Sequence, residues 1–191
     1  MLKLGIIVVS IRDKRIGSEI ADWVYNTYLD IKDSDVSIEL IDLKEFNLPF
    51  HDTTHTEDEK KRIEAYKAKM TSIDGYILVQ PEYNRLTPAS LANAWAYVWK
   101  EVKDKALAFV GYGFLGASRS IFSFRAAASI LEVAIVQKEI NFSYNVDYEN
   151  YGKDNAKFKP GPWHLDDFKI QYDQLTKWSK ALKLVREGKI K

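Results

Sequence analysis

A chain of 191 residues, 46% hydrophobic and 29% charged, suits one domain with a substantial core over residues 1–191, and a single domain rather than a two-domain enzyme is expected. Its 28 Lys and Arg almost cancel 27 Asp and Glu, so a formal charge of +1 provides no whole-molecule field to draw in nucleic acid or an anionic membrane, and neither is expected as a partner. The absence of cysteine excludes disulfides, thiolate nucleophiles and thiolate metal sites.

In chain order, the apolar run Leu2 to Val9 has the length of a buried strand. It is too short for a signal segment or a membrane span, which points to a cytoplasmic protein. Ile16, Ile20, Trp23, Val24, Thr27 and Tyr28 then recur at helical spacing, with Ser18 as a candidate cap. Val36 to Ile41 reads as a second strand. Ile63, Tyr66, Met70 and Ile73 mark a second helix whose start Thr56 can cap. Gly75 to Val79 is the third strand, followed by a helix-like stretch from Ala89 to Trp99. Ala106 to Val110, a helix over Ser118 to Leu131, Ala134 to Ile140 and a terminal helix striped by Phe168, Tyr172, Leu175, Trp178, Leu182 and Val185 complete the pattern. Strands apolar on both faces that alternate with helices belong to a parallel sheet covered on both sides. The expected architecture is therefore α/β and doubly wound, with strand order 2-1-3-4-5.

Three loops follow strands one, three and four and must open at one sheet edge, where such sheets bind ligands. The first, Ser10 to Gly17, sets a hydroxyl, Arg12 and Arg15 beside a helix N-terminus, which suits a phosphate monoester. It contains neither a dinucleotide fingerprint nor a P-loop. The second, Pro81-Glu82-Tyr83-Asn84, is stiffened by Pro81 and Pro88 and offers a tyrosine ring with main chain able to bond the edge of a flat heterocycle. The third runs from Gly111 to Ser118, with Gly111, Gly113 and Gly116 permitting close backbone approach.

Other chemistry is weakly represented. His51 and His55 are four residues apart but lack the glutamate of a zinc-binding helix, and they read as a solvated loop. His164 has no evident nucleophile. Residues 143–163, rich in aromatics, are long for a plain connection and suit a dimer contact or a wall of a substrate mouth.

On Ser10-Ile11-Arg12, Pro81-Glu82-Tyr83-Asn84 and Leu91-Ala92-Asn93-Ala94, the chain resembles the NADPH-dependent FMN reductase family over roughly residues 3–142. These are flavodoxin-like three-layer flavoproteins that include quinone and azo-dye reductases. The resemblance implies FMN as cofactor, its phosphate held by Ser10, Arg12, Arg15 and Ile16. It places Pro81, Glu82, Tyr83 and Asn84 along the isoalloxazine and Gly113, Phe114 and Gly116 on its other side. It further implies NADPH or NADH as co-substrate, a small-molecule quinone, azo or flavin acceptor reached by ping-pong hydride transfer, and a homodimer, with the Trp95 and Trp99 helix as the expected contact. Arg15, Arg85 and Arg119 are candidates for the 2′-phosphate of NADPH. The alternatives are an electron carrier of the same fold without NAD(P)H turnover and a flavin-free binding module. Val9, Leu86, Ala89 and the pair Phe114-Leu115 depart from the family pattern.

Overall fold

The computed structural model describes residues 1–190. Five strands, β1 (Leu2–Val8), β2 (Val36–Asp42), β3 (Gly75–Pro81), β4 (Ala106–Gly113) and β5 (Ala134–Ser143), form a parallel sheet of order β2-β1-β3-β4-β5. Successive residues of each strand face opposite sides, so each face needs its own apolar cover. Leu4, Ile6 and Val8 pack with Ile20, Val24 and Tyr28 of α1 (Gly17–Ile31) and with Phe168 and Leu175 of the terminal helix (Trp163–Arg186). Ile7 and Leu78 face the other way, among Tyr66 and Met70 of the helix Glu57–Ser72, Leu91 and Trp95 of the helix Ala89–Ala96, and Phe124 of the helix Ser118–Ser129. In chain order the remaining elements are α2 (Leu43–Phe46), α3 (Glu57–Ser72), α4 (Ala89–Ala96), α5 (Ser118–Ser129), the antiparallel hairpin β6 (Tyr148–Glu149) and β7 (Lys157–Phe158), and α6 (Trp163–Arg186). The expected doubly wound, flavodoxin-like order is the one observed.

Several boundaries differ from the sequence reading for local reasons. Ile16, not Ser18, flanks the start of α1; Ser18 lies in the first turn and accepts a bond from Arg15 Nε at 2.9 Å. Thr56 does cap α3, in a reciprocal box with Glu59. Strands β4 and β5 each run three residues further than their apolar runs, because Gly111, Tyr112 and Gly113 pair with Asn141, Phe142 and Ser143. Helix α4 stops at Ala96, and Trp95 is only 5% exposed, packed edge-on against Tyr76 and Phe124 of its own chain. Trp95 is therefore a core residue rather than the interface residue expected, while Trp99, beyond the helix, stays 59% exposed.

Candidate functional site

The first loop, between β1 and α1, is held by its own side chains. Val9, whose side chain is buried in the core, donates its amide to Val79 O at 3.1 Å. Ser10, 1% exposed, places its hydroxyl 2.8 Å from that of Tyr83. Arg15 donates to Ser10 O and to the Ser18 hydroxyl, each at 2.9 Å, and pairs with Asp42 at the end of β2. Its planar fork is thus committed to the loop, and Arg12 is the guanidinium left facing outward, 5.7 Å from the centre of the Tyr83 ring. No side chain caps α1, so its first-turn amides open toward this edge. The Tyr112 hydroxyl lies beside the same helix start, buried and without a partner among the described residues. A Cβ at Gly17 would meet it at 2.4 Å, so a side chain larger than glycine displaces the tyrosine.

The second loop, between β3 and α4, splits its functions between side chain and main chain. The Glu82 carboxylate crosses to the start of α5, where it accepts from the amides of Arg119 at 3.2 Å and Ser120 at 3.4 Å and pairs with the Arg119 guanidinium. Burial pushes the carboxyl up, but the bonds from Arg119 and Ser120 outweigh it and hold the group below the usual glutamate range. With the carboxylate drawn away, Tyr83 to Leu86 form a two-residue turn closed by Leu86 N donating to Tyr83 O at 3.0 Å. Asn84 (φ 51°) and Arg85 (φ 66°) both occupy the left-handed region such a turn demands. Ser90 ties α4 back to the first loop by donating to Val9 O at 2.8 Å. Asn93 holds the 49–51 segment, donating to Pro49 O and accepting from His51 N.

The third loop, between β4 and α5, turns at Gly116, with φ 61° and a Cβ position 2.5 Å from Asn141 Cβ, so glycine is required. Asn141 Nδ2 donates to Gly116 O at 2.7 Å. The turn projects Phe114, whose ring meets Tyr144 and Tyr151 edge-on at 5.3 and 5.7 Å; those two tyrosines stack at 4.1 Å. Their segment is fixed from behind. Buried Asp147 accepts from Ser143 N at 2.8 Å and Gly161 N at 3.2 Å and lies 2.9 Å from His164 Nε2, and Phe158 packs against Trp23 and Phe142.

Together these parts enclose a cleft of about 340 Å³ lined by Arg12, Glu82, Tyr83, Asn84, Arg85, Phe114, Arg119, Tyr144 and Tyr151. Of the expected residues, Arg12, Glu82, Tyr83, Asn84 and Phe114 meet there, with Ser10 joined through Tyr83. Pro81, Gly113 and Gly116 shape the loops behind it, Ile16 flanks the helix start and Arg15 turns to Asp42. Tyr144 and Tyr151 line the cleft, which is one of the two uses expected of the aromatic segment 143–163; the signal is the aromatic density of a connection with no helix or strand period. His51 and His55 lie elsewhere, against Tyr97, and no group of three or more metal-binding side chains occurs among the described residues.

The family model for NADPH-dependent FMN reductase matches residues 2–147. The chain belongs to that family. It is 30% identical over 131 residues to an NAD(P)H-dependent FMN reductase of Nectria sp, covering 63% of this chain and 64% of that protein, so it spans somewhat less than two thirds of that relative's length. It is 26% identical over 145 residues to a 2-hydroxy-1,4-benzoquinone reductase of Burkholderia sp, covering 72% and 75% of the two chains. Among solved structures, FerB, a flavoenzyme NAD(P)H:(acceptor) oxidoreductase from Paracoccus denitrificans, superimposes with a TM-score of 0.73 over 95% of this chain and 98% of that one at 16% identity, which establishes the shared fold.

The residues present fit the FMN that this family implies. An uncapped helix start, the partnerless Tyr112 hydroxyl and the outward Arg12 form a donor set for a phosphate. The cleft volume falls within the range of small-molecule pockets, about 300–1,000 Å³. No described helix is long and apolar enough to cross a membrane.

Proposed function

We propose that this protein is an FMN-dependent oxidoreductase that passes hydride from NADPH or NADH to a quinone, azo or flavin acceptor by a ping-pong mechanism. The observation that carries the reading is the convergence of three strand-end loops on one aromatic-walled cleft, in a chain of the FMN reductase family. Arg12, the Ser10 hydroxyl and the first-turn amides of α1 would hold the FMN phosphate. The main chain of Tyr83 to Arg85 and the loop bearing Gly113, Phe114 and Gly116 would border the ring. When bound, FMN supplies the hydride chemistry.

The protein's own task is positioning and electrostatics. Fixed backbone amides beside the ring edge favour negative charge there without rearranging. Phe114, Tyr144 and Tyr151 shield one side of the cleft from water. No side-chain acid or base is needed, and the lining carboxylate, Glu82, is committed to Arg119 and the α5 amides. The similarity to a benzoquinone reductase supports a quinone as the first acceptor to assay. Because donor and acceptor would use one mouth in turn, velocity against NADPH at several quinone concentrations is expected to give parallel double-reciprocal lines. Intersecting lines would contradict the shared mouth.

A further inference from the structure

The cleft holds more positive charge than its own carboxylate neutralises. Of its three arginines, Arg119 is paired with Glu82, and Arg12 and Arg85 have no carboxylate partner among the described residues. On the reading proposed above, Arg12 serves the FMN phosphate, and Arg85 is left over. Its position is unusual. It is the second central residue of the Tyr83–Leu86 turn, at φ 66°, where the backbone conformation favours glycine. Glycine would make that turn with less strain, whereas arginine there plants a guanidinium on a short rigid rim. The same cleft is walled by the rings of Phe114, Tyr144 and Tyr151, which suit a flat ligand. A cation at the mouth of a partly enclosed cleft concentrates anions there even though the chain as a whole is nearly neutral.

We propose that Arg85 is a specificity-determining residue that selects ligands combining a flat aromatic system with an oxyanion outside it. The proposal rests on the oxidoreductase reading of the cleft. The oxyanion has two possible sources: a sulfonate, carboxylate or phenolate on the acceptor, or the 2′-phosphate of NADPH.

The test compares the FMN-loaded parent with Arg85→Gly, which suits the local backbone and so keeps the fold, and with Arg85→Lys, which keeps the charge. Calorimetric dissociation constants are measured for naphthalene-2-sulfonate and its neutral isostere naphthalene-2-sulfonamide. Arg85→Gly is expected to lose about tenfold in affinity for the sulfonate and much less for the sulfonamide, with Arg85→Lys in between. Unchanged constants, or equal losses for both compounds, would overturn the proposal. In turnover, a fall in the ratio of kcat/KM for sulfonated over neutral naphthoquinone assigns the anion to the acceptor, and a fall in the NADPH over NADH ratio assigns it to the donor. Neither ratio moving would count against Arg85. A parent without any turnover would defeat the oxidoreductase reading, while the calorimetric comparison would still decide the role of Arg85.

Discussion

Arg12 and Arg15 stand three positions apart, yet the fold gives them opposite work. Arg15 bonds Ser10 O, Ser18 and Asp42 and thereby shapes the loop, leaving Arg12 to face the cleft. Sequence offered both as phosphate ligands, because the partner that decides between them, Asp42, ends a different strand 27 residues away. Arg12→Ala is accordingly expected to weaken FMN by about 1.5–3 kcal/mol, measured by flavin fluorescence quenching, while leaving the unfolding midpoint in place. Arg15→Ala is expected to lower stability to urea by a similar amount. Equal effects of the two variants on both measurements would contradict this division. Glu82 shows the same limit on legibility: its type and place in the motif were visible, but its use as an anchor for α5 depends on Arg119 and Ser120, 37 and 38 residues on. Its folded pKa lies below the ordinary value of 4.5, so its stabilising contribution is fully present above that value and is lost as pH falls through the folded pKa. The stability difference between parent and Glu82→Gln should therefore be constant from neutral pH down to about 5 and shrink below about 4.

At the scale of elements, apolar runs and helical spacing were enough to place the five strands, and the crossover rules for helices between parallel strands favour the order observed. The cross-ties between loops were not legible. Ser10 and Tyr83 are 73 residues apart, and Val9 and Ser90 are 81 apart. These bonds join the first two loops, and Glu82, accepting from the amides of Arg119 and Ser120, joins the second to the third, so that the three make one rim. Removing one hydroxyl by Tyr83→Phe should cost about 1 kcal/mol of stability to urea and also weaken FMN, since the Ser10 side chain loses its tie to the second loop while the Ser90–Val9 bond remains. A Tyr83→Phe protein with unchanged FMN affinity would show that the rim does not need it. At the opposite end of the sheet, Asp74 accepts from Lys3 N at 3.0 Å, Lys183 at 2.8 Å and Arg186 at 2.6 Å, fastening α6 to the base of β3. Burial pushes the Asp74 carboxyl up, and those donors together bring it below the usual range. Asp74→Asn should cost about 2 kcal/mol in urea unfolding while FMN affinity stays that of the parent, which separates the base of the sheet from its functional edge.

For the molecule as a whole, a formal charge of +1 conceals an uneven distribution in which the cleft mouth is cationic. Net charge could not show this, because it depends on which arginines find carboxylates after folding. The family was readable from short motifs at strand ends. The aromatic segment 143–163 was legible only as either a dimer contact or a wall of the mouth, because its seat over the cleft depends on the Asp147–His164 contact and on Phe158 against Trp23. Burial of Trp95 in the core removes part of the case for an interface on α4, and Trp99, three residues beyond that helix, is the exposed tryptophan of the expected pair. The most direct test of the central claim is an anaerobic titration of the FMN-loaded protein with NADPH, followed by a small quinone, while the flavin's visible absorbance is recorded. The absorbance should bleach with NADPH and return with the quinone; a flavin that bleaches with dithionite but with neither NADPH nor NADH would contradict the account and leave an electron carrier in its place.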